Sequence, residues 1–413
     1  MAILNAANAA QLQAALAKAV GGDKIILAAG DYGSVSITGR NYASNVTIQS
    51  GNWKNFAHFD GLQVTGSSNI MFNGLDMGRG REARDAEFTQ INNVSRSTNI
   101  RFNGVNFHGD GKGDPTTDLV GLGIYDSRNV SVTNSDFDDL GRGIYVLRSN
   151  DTAVTGSNFH DIRLDGINVA ATTGTSIHNN VFKDFHPVDG DHADAIQFWN
   201  TGQTQGQSNI SIKNNVIWMP ENYAPELDGV QGIWISDPGV YGYRNVAIEN
   251  NIVYSNDRWN GISVFSGTNV QLLNNTVLSS SEEGKVLWIR VEDSRSVVMR
   301  GNVTEDMILR NNTITQSNNI DLSEAPGLRS LFADLRAPDS IFDLITPGVG
   351  YQAPSKPPAG TPVGNLPRAL VAHDVTMVDV APEAYAPIAY APDVYEAGPI
   401  RHAFMIDSFT ALP

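Results

Sequence analysis

A nine-residue phrase recurs along most of this 413-residue chain and constrains the fold more than any other feature. The phrase places two apolar residues around a variable one, adds Asn or Gly, and ends on further apolar residues. It reads NIMFNGLDM from residue 69, NIRFNGVNF from 99, NISIKNNVI from 209 and NVAIENNIV from 245. Neighbouring copies begin 22 to 37 residues apart, so a minimum unit is kept while the excess varies. Such a period is typical of solenoids, in which each repeat stacks on the next.

A second phrase precedes most copies and has the alternation of a β-strand. It reads GLGIYDS from residue 121, GRGIYVL from 141, LDGINVA from 164 and VQGIWIS from 230. Because apolar residues recur at every second position, each phrase predicts a short strand with one buried face. The sequence therefore predicts about ten coils, each made of strand, short turn, strand, Asn turn, strand and variable loop.

One turn of the predicted coil carries Gly or Asn in nearly every copy, and these residue types tolerate left-handed backbone angles. The positions are Gly104, Asn134, Gly156, Asn179, Asn214, Asn250, Asn274 and Asn311. In this pattern the chain resembles the pectate-lyase-like right-handed parallel β-helix superfamily of polysaccharide lyases, epimerases, glycosidases and phage-type spikes, whose members show an Asn ladder at their second turn. The resemblance covers roughly residues 22–325, implies an all-β right-handed parallel β-helix, and concerns the fold rather than a catalytic signature.

The two ends of the chain differ from the repeat. Residues 1–21 predict a helix that caps the first coil, with Leu12, Leu16 and Val20 at helical spacing. Residues 22–325 form the predicted β-helix, and residues 326–413 form a Pro/Ala/Tyr-rich extension that holds 13 of the 18 prolines. The extension is either a linker or a strap that packs Tyr385, Tyr390 and Tyr395 on the rod or on a partner subunit, which leaves a homotrimer or attachment to a larger assembly open.

Composition excludes several classes of protein. The net charge of −16 argues against a nucleic-acid partner, and the absence of cysteine excludes disulfide scaffolds and thiolate chemistry. No apolar run reaches transmembrane length, so membrane insertion is not expected. Residues 1–20 lack the cationic start and apolar stretch of a signal peptide, so we expect a protein made in the cytosol, unless release places it outside the cell or on a virion.

Three columns of side chains follow from aligning the coils, and all face the long loops at 108–121, 186–193 and 219–230. Loops on a rigid scaffold commonly carry binding sites. Aromatic rings beside hydrogen-bonding groups suit a sugar chain, so the substrate-binding candidates are Tyr125, Tyr145, Arg142, Asn168, Gln197, Trp218 and Trp234. A third column, at the exit of the last strand of each coil, reads His108, Asp138, His160, Lys183, Trp218 and Tyr254.

The first catalytic candidates are Asp165, His192 and Asp194. Asp165 and Asp194 are expected on neighbouring coils about 4.8 Å apart, where two carboxylates raise the pKa of one of them and create a general acid. Such a pair suits a glycoside hydrolase. The alternative is that both aspartates only accept hydrogen bonds from turn N–H groups.

His160, Arg163 and Lys183 complete the catalytic candidates and suit a different reaction. Cleavage of a uronic-acid polymer by β-elimination needs a base at C5 and a cation to neutralise the carboxylate. The resemblance implies lyase, epimerase or hydrolase activity without distinguishing them. The alternative for His160 and Lys183 is a solvated column without a role.

Neither a cofactor nor a bound metal is expected, except that Asp189, Asp191 and Asp194 offer clustered oxygens for Ca²⁺. The sequence thus predicts a protein that binds and cleaves an acidic or capsular polysaccharide on the outer face of the rod. The alternative is a non-catalytic receptor-binding spike of a phage or phage-like particle of gene-transfer-agent type, which recognises cell-surface polysaccharide.

Overall fold

In the computed structural model the chain is a right-handed parallel β-helix, as the repeat predicts. The structure describes residues 1–112, 119–188, 190–219, 229–256, 259–280, 286–331 and 348–352. Successive coils contribute one strand each to three parallel sheets, here called the entry, middle and exit sheets in the order in which a coil meets them. Among the described residues no helix is long and apolar enough to cross a membrane.

The entry sheet has eleven strands and therefore defines eleven coils with all three strands. Its strands are Ser34–Thr38, Gly61–Thr65, Asn92–Ser95, Val120–Tyr125, Arg142–Leu147, Ile167–Ala170, Asp194–Trp199, Gln231–Ile235, Asn260–Phe265, Trp288–Glu292 and Asp306–Arg310.

The middle sheet has thirteen strands because it also takes in the start of the chain. Its strands are Ile3–Ala6, Lys24–Leu27, Asn41–Ser50, Ser68–Asn73, Thr98–Asn103, Arg128–Thr133, Asn150–Thr155, Thr173–His178, Gln207–Lys213, Tyr243–Glu249, Gly267–Leu273, Arg295–Arg300 and Ile314–Ser317.

The exit sheet has twelve strands, which are mostly shorter. Its strands are Gly30–Asp31, Ala57–Phe59, Asp76–Gly78, Asn106–His108, Asp136–Leu140, Asn158–Ile162, Val181–Lys183, Val216–Trp218, Ile252–Ser255, Thr276–Ser279, Val303–Thr304 and Ile320–Asp321. The variable loops leave from this sheet and return to the entry sheet.

Stacked side chains fill the inside of the rod. Alternate residues of each strand point inward, so equivalent apolar residues of neighbouring coils lie on top of each other. On the exit sheet Phe107, Phe137, Phe159 and Phe182 are fully buried, and their rings stack at centroid distances of 4.7, 4.6 and 4.8 Å. This stack of rings therefore helps to hold these four coils in register.

The turn from the middle to the exit sheet confirms the left-handed positions predicted there, for example φ of 56° at Asn179 and 55° at Asn214. The amide ladder that joins the coils lies one residue later, where the Asn180 amide donates to Asn215 and the Asn215 amide to Asn251, both at 3.0 Å. Asn311 was wrongly aligned, because residues 306–310 form an entry strand and place it in the preceding turn.

The N-terminal helix spans Ala9–Lys18, after the first middle-sheet strand. Asn8 caps it by accepting a hydrogen bond from the Gln11 amide at 3.0 Å, and Leu12 and Leu16 are buried against the first coils. Val20 lies beyond the helix and is exposed, which corrects its predicted place on the apolar face. A 3₁₀ helix, Pro326–Leu331, follows the last coil.

Residues 348–352 return to the outside of the exit sheet. Tyr351 is fully buried there in an apolar cluster with Trp218, Tyr254 and Leu278. Two hydrogen bonds fix the segment, from the Tyr351 amide to Thr276 Oγ1 at 2.8 Å and from the Gln352 amide to Asn250 Oδ1 at 2.6 Å. Tyr385, Tyr390 and Tyr395, the residues of the predicted strap, lie outside the described residues.

Candidate active site on the entry sheet

The outward column of the entry sheet places Tyr145, Asn168, Gln197, Trp234 and Ser263 on consecutive coils in exact register. The alignment of the repeats predicts this order, except that it places Tyr125 in the position before Tyr145. Gly123, not Tyr125, pairs with Tyr145, because the residues of that coil were shifted by two. The same shift makes Val120 the register partner of Arg142.

Tyr125 nevertheless stays beside Tyr145. Its ring folds back over Gly123, where an added Cβ would lie 2.5 Å from the ring, and its centroid is 5.9 Å from that of Tyr145. Burial raises the pKa of both phenols, so they stay protonated near neutral pH. Glycine at position 123 therefore keeps the two rings together as one aromatic surface.

Asp165 lies beneath this surface and is held from two sides. Only 2 % of it is exposed. Asn168 Nδ2 donates to Asp165 Oδ2 at 2.9 Å, and Arg142 Nε lies 3.1 Å from the same oxygen. Asn168 also donates to Gln197 Oε1 and accepts from Trp199 Nε1 at 2.6 Å. Asn168 is buried and links these side chains, although it belongs to the outward column of the strand.

Asp194, which is fully buried, lies directly below His192, which is half exposed. His192 Nδ1 lies 3.2 Å from Asp194 Oδ2, and His192 Nε2 lies 2.8 Å from Gln231 Nε2. The amide nitrogen of Gln231 can only donate, so His192 Nε2 accepts and the ring proton is on Nδ1, facing the carboxylate. A carboxylate that orients an imidazole in this way prepares its other nitrogen to act as a base.

The burial of both aspartates corrects the expectation that they face solvent as a general acid and its partner. Asp165 accepts a hydrogen bond from the Asp194 amide at 3.3 Å, so the two residues are adjacent as predicted. However, Arg142 and Asn168 cover one carboxylate and His192 covers the other. The exposed titratable group of this cluster is the imidazole, because His192 lies over Asp194 and is itself half exposed.

The aromatic surface continues past Trp234, further than the sequence analysis reached. The His192 ring meets Trp234 edge-on at 5.8 Å, and the Trp234 ring meets Phe265 edge-on at 5.5 Å. Arg290 lies over Phe265, 4.9 Å from the ring centroid. Phe265 was predictable from the sequence. It is the last residue of WNGISVF from 259, a copy of the phrase that predicts the entry strands.

A loop from two coils away also covers this face, which the sequence analysis missed. Residues 79–91 leave the exit sheet and bring Phe88 between two cations, 4.7 Å from Arg142 and 5.2 Å from Arg163. Glu87 of this loop lies 2.7 Å from Arg163 Nη1, and Asp191 takes the other side of Arg163 in a bidentate pair at 2.8 and 3.0 Å. Arg163 thus fastens the two loops to each other.

The structure places His160 and Lys183 on the exit sheet, in the register predicted for that column. His160 Nε2 lies 3.1 Å from Asp136, and its Nδ1 lies 2.7 Å from Asp161 and 3.2 Å from Asp138. Hydrogen bonds to Asp136 and Asp161 raise the pKa of His160 to about 10, so it is an imidazolium at neutral pH. Lys183 Nζ pairs with Asp184 at 3.1 Å.

Two further candidates, Trp218 and Asp191, already have partners within the protein. Trp218 is 7 % exposed, because Tyr254 stacks on it at 4.9 Å and residues 348–352 cover the cluster, so it offers no surface to a sugar. Asp191, one of the oxygens considered for Ca²⁺, gives both its oxygens to Arg163. Asp189 lies outside the described residues.

The fold and this face together define a right-handed parallel β-helix with an aromatic surface and an aspartate-oriented histidine. The resemblance inferred from the sequence is confirmed at the level of the fold. A family model described as "right handed beta helix region" matches residues 120–314, slightly less than half of the chain. No curated protein matches the sequence significantly.

Several solved structures are similar to the chain at low identity. A Paenibacillus alginate lyase is 16% identical with a TM-score of 0.43, and the match covers 77% of this chain and 99% of that one. A family 28 exopolygalacturonase of Yersinia enterocolitica is 14% identical with a TM-score of 0.44, covering 78% of each chain. The Dettilon tailspike protein is 12% identical with a TM-score of 0.47, covering 76% of this chain and 61% of that one.

Proposed function

We propose that the chain binds an acidic or capsular polysaccharide along the outer face of the entry sheet, between Tyr125 and Trp234, and cleaves it there by β-elimination. One observation carries the proposal, namely the half-exposed His192 held by the buried Asp194 beside Trp234. A histidine placed at an aromatic platform can take a proton from a sugar ring that stacks on that platform. The names of the similar lyases agree with such a substrate but carry no part of the argument.

In this proposal His192 Nε2 is the general base. It removes the proton at C5 of a uronic-acid unit, the electron pair forms the C4–C5 double bond, and the C4–O bond breaks. The leaving oxygen takes a proton from water. Asp194 pairs with the imidazolium that forms, because its carboxylate lies 3.2 Å from Nδ1.

Arg142 is the cation that neutralises the substrate carboxylate. Its guanidinium lies over Phe88 and is partly exposed, while its Nε faces Asp165 Oδ2 at 3.1 Å. When the substrate carboxylate pairs with this cation, its negative charge is neutralised and the charge that develops on C5 can spread into the carboxyl group, which lowers the barrier to proton removal. Hydrolysis is less well supported, because neither Asp165 nor Asp194 is exposed enough to protonate a leaving group.

A second function, binding without cleavage, is favoured by one contact. Gln231 already donates to His192 Nε2, so the base must exchange this partner for substrate before it can act. If that exchange does not occur, the same face is the receptor-binding surface of a spike, which was the alternative from the sequence.

The test is a panel of acidic polysaccharides incubated with the protein, followed by absorbance near 235 nm and by reducing ends. A rise in both signals is expected, because β-elimination creates an unsaturated product and a new end. His192→Gln should lower the rate about 100- to 10,000-fold, the range for loss of a general base. Reducing ends without absorbance contradict the lyase, and retained binding of one polymer without either signal supports the spike.

Binding itself is tested with Trp234→Ala. Loss of the ring should weaken binding of the cleaved polymer by about 1–3 kcal/mol, judged from the apolar surface that a tryptophan covers. The matched control is Trp53→Ala, which removes an exposed tryptophan of the first coils, 57% exposed, and should leave binding unchanged. Equal affinity of the wild type and Trp234→Ala would move the groove elsewhere.

A further inference from the structure

Two histidines and an aspartate converge on the exit sheet of the first coils, outside the site proposed for polysaccharide. His58 and Asp76 are register partners on adjacent strands, and His108 comes from the strand after them. His58 Nδ1 lies 2.7 Å and His108 Nε2 lies 3.2 Å from the same oxygen, Asp76 Oδ2. One donor atom from each of the three residues lies within 4.8 Å of the other two.

The hydrogen bonds around the three residues point one nitrogen of His108 at the centre of the group. His108 Nδ1 lies 2.8 Å from the carbonyl oxygen of Gly109, so this nitrogen carries a proton. The lone pair of Nε2 then faces the Asp76 carboxylate, an arrangement that needs a cation or a second proton between the two atoms. A backbone carbonyl on the far nitrogen is the usual outer-shell partner of a metal-binding histidine.

The backbone is shaped so that His108 can reach Asp76. Gly78 is the register partner of His108, and a Cβ at Gly78 would lie 2.0 Å from the His108 carbonyl oxygen. With no side chain at position 78, His108 lies close enough for its ring to reach 5.7 Å from that of His58. Asn106 Nδ2 donates to Asp76 Oδ1 at 2.9 Å and fixes the carboxylate between the rings.

The group opens onto a depression in the surface rather than being closed. His58 and Asp76 form part of its wall, together with Gly30, Lys54 and Phe56. All three donor side chains are about a quarter exposed. Three protein ligands with an open fourth position are typical of a reactive metal centre, whereas structural zinc sites are closed by four protein ligands.

We propose that His58, Asp76 and His108 bind one divalent transition-metal ion of the zinc class, with its fourth position open to the depression. Ligands at about 2.0–2.1 Å on a tetrahedral ion are about 3.3 Å apart, which the 3.2 Å separation of His108 and Asp76 already matches. The distance between His58 Nδ1 and Asp76 Oδ2, 2.7 Å, is shorter than this value. It lengthens on metal binding when these partly exposed side chains rotate. Two imidazoles and a carboxylate favour zinc over Ca²⁺ or Mg²⁺, which prefer oxygen ligands.

A second cluster on the same sheet, Asp138, His160 and Asp161, provides the matched control. There both nitrogens of His160 face carboxylates, Nδ1 towards Asp138 and Asp161 and Nε2 towards Asp136. This cluster therefore offers one imidazole among carboxylates, whereas the first cluster offers the two imidazoles that favour zinc. We expect this cluster to bind no zinc.

The experiment is calorimetric titration of the metal-stripped full chain with zinc chloride, with cobalt chloride as a spectroscopic probe. We expect one zinc ion per chain and visible cobalt bands of a four-coordinate site. His108→Gln should weaken zinc binding by more than the roughly 10- to 100-fold that loss of an outer-shell partner costs. His160→Gln should bind zinc like the wild type.

Other outcomes overturn the proposal. These are no zinc binding by the wild type, equal binding by His108→Gln, binding lost only in His160→Gln, or binding of Ca²⁺ in preference to zinc. If His108→Gln fails to fold, as judged by its thermal midpoint, His58→Gln takes its place. The result does not depend on polysaccharide cleavage, since zinc is measured directly.

Discussion

Charged residues are buried on the entry face of the coils and partly exposed on the exit face of the same coils. On the entry face Asp165 and Asp194 are buried, each under a neighbouring cation or imidazole. On the exit face Asp136, Asp138 and Asp161 stay partly exposed around His160. Both faces are built by register-matched strands, so the strand pattern does not cause the difference.

The loops cause the difference. Residues 79–91, together with 186–188 and 190–193, fold over the entry face, and Arg163 joins the two loops through Glu87 and Asp191. Side chains under these loops lose water and must find partners within the protein. The comparison shows that coverage by a loop, rather than position in the coil, separates a candidate catalytic group from a surface ion cluster.

The largest effect is expected from Asp194→Asn. The variant keeps the shape of the side chain but removes the charge that stabilises the imidazolium of His192, so the cleavage rate should fall about 100- to 10,000-fold. The rate is measured by absorbance near 235 nm on the polymer found active.

The corresponding change on the exit face, Asp138→Asn, is the control and should leave the rate unchanged. A similar loss in both variants would mean that the two faces act as one site, or that the loss reflects folding. Thermal midpoints of both proteins separate these explanations.

A smaller effect, on stability, is expected from Gly78→Ala. The added Cβ would lie 2.0 Å from the His108 backbone, so one strand must shift, at a cost of about 1–3 kcal/mol in the free energy of unfolding. Denaturation in urea measures it. Gly327→Ala, where an added Cβ meets nothing within 4 Å, should change stability little, and equal effects would contradict the close packing at Gly78.

The last effect is the pH dependence of stability that comes from the His160 cluster. Hydrogen bonds to Asp136 and Asp161 raise the pKa of His160 to about 10, from an ordinary value of 6.5. The stabilisation is therefore complete below about pH 6.5 and is lost as the pH rises towards 10. The difference in unfolding free energy between the wild type and His160→Gln should shrink over this range, and a difference that grows with pH would show that the imidazolium is not stabilised.

The columns of the coil were predictable because each copy of the repeat has the same circumference. The exit column from His108 to Tyr254 is in register over all six residues. The error at Tyr125 arose because an alternating pattern fits equally well when shifted by two residues. The error at Asn311 arose because the entry strand Asp306–Arg310 has the apolar alternation followed by Asn that marks the middle strands. Burial of Trp218 could not be foreseen, because the covering residue, Tyr351, is far along the chain.

The sequence by itself determined the β-helix, the left-handed turns and the order of the outward columns, because these depend on local periodicity and on residues that tolerate particular backbone angles. Only the tertiary structure decided which outward residues meet water. It brought Phe88 onto Arg142, placed His192 over Asp194, and joined His58, Asp76 and His108 across neighbouring strands. These contacts depend on how loops of irregular length fold back on the rod and on how side chains of adjacent coils turn towards each other, neither of which is a local property of the sequence.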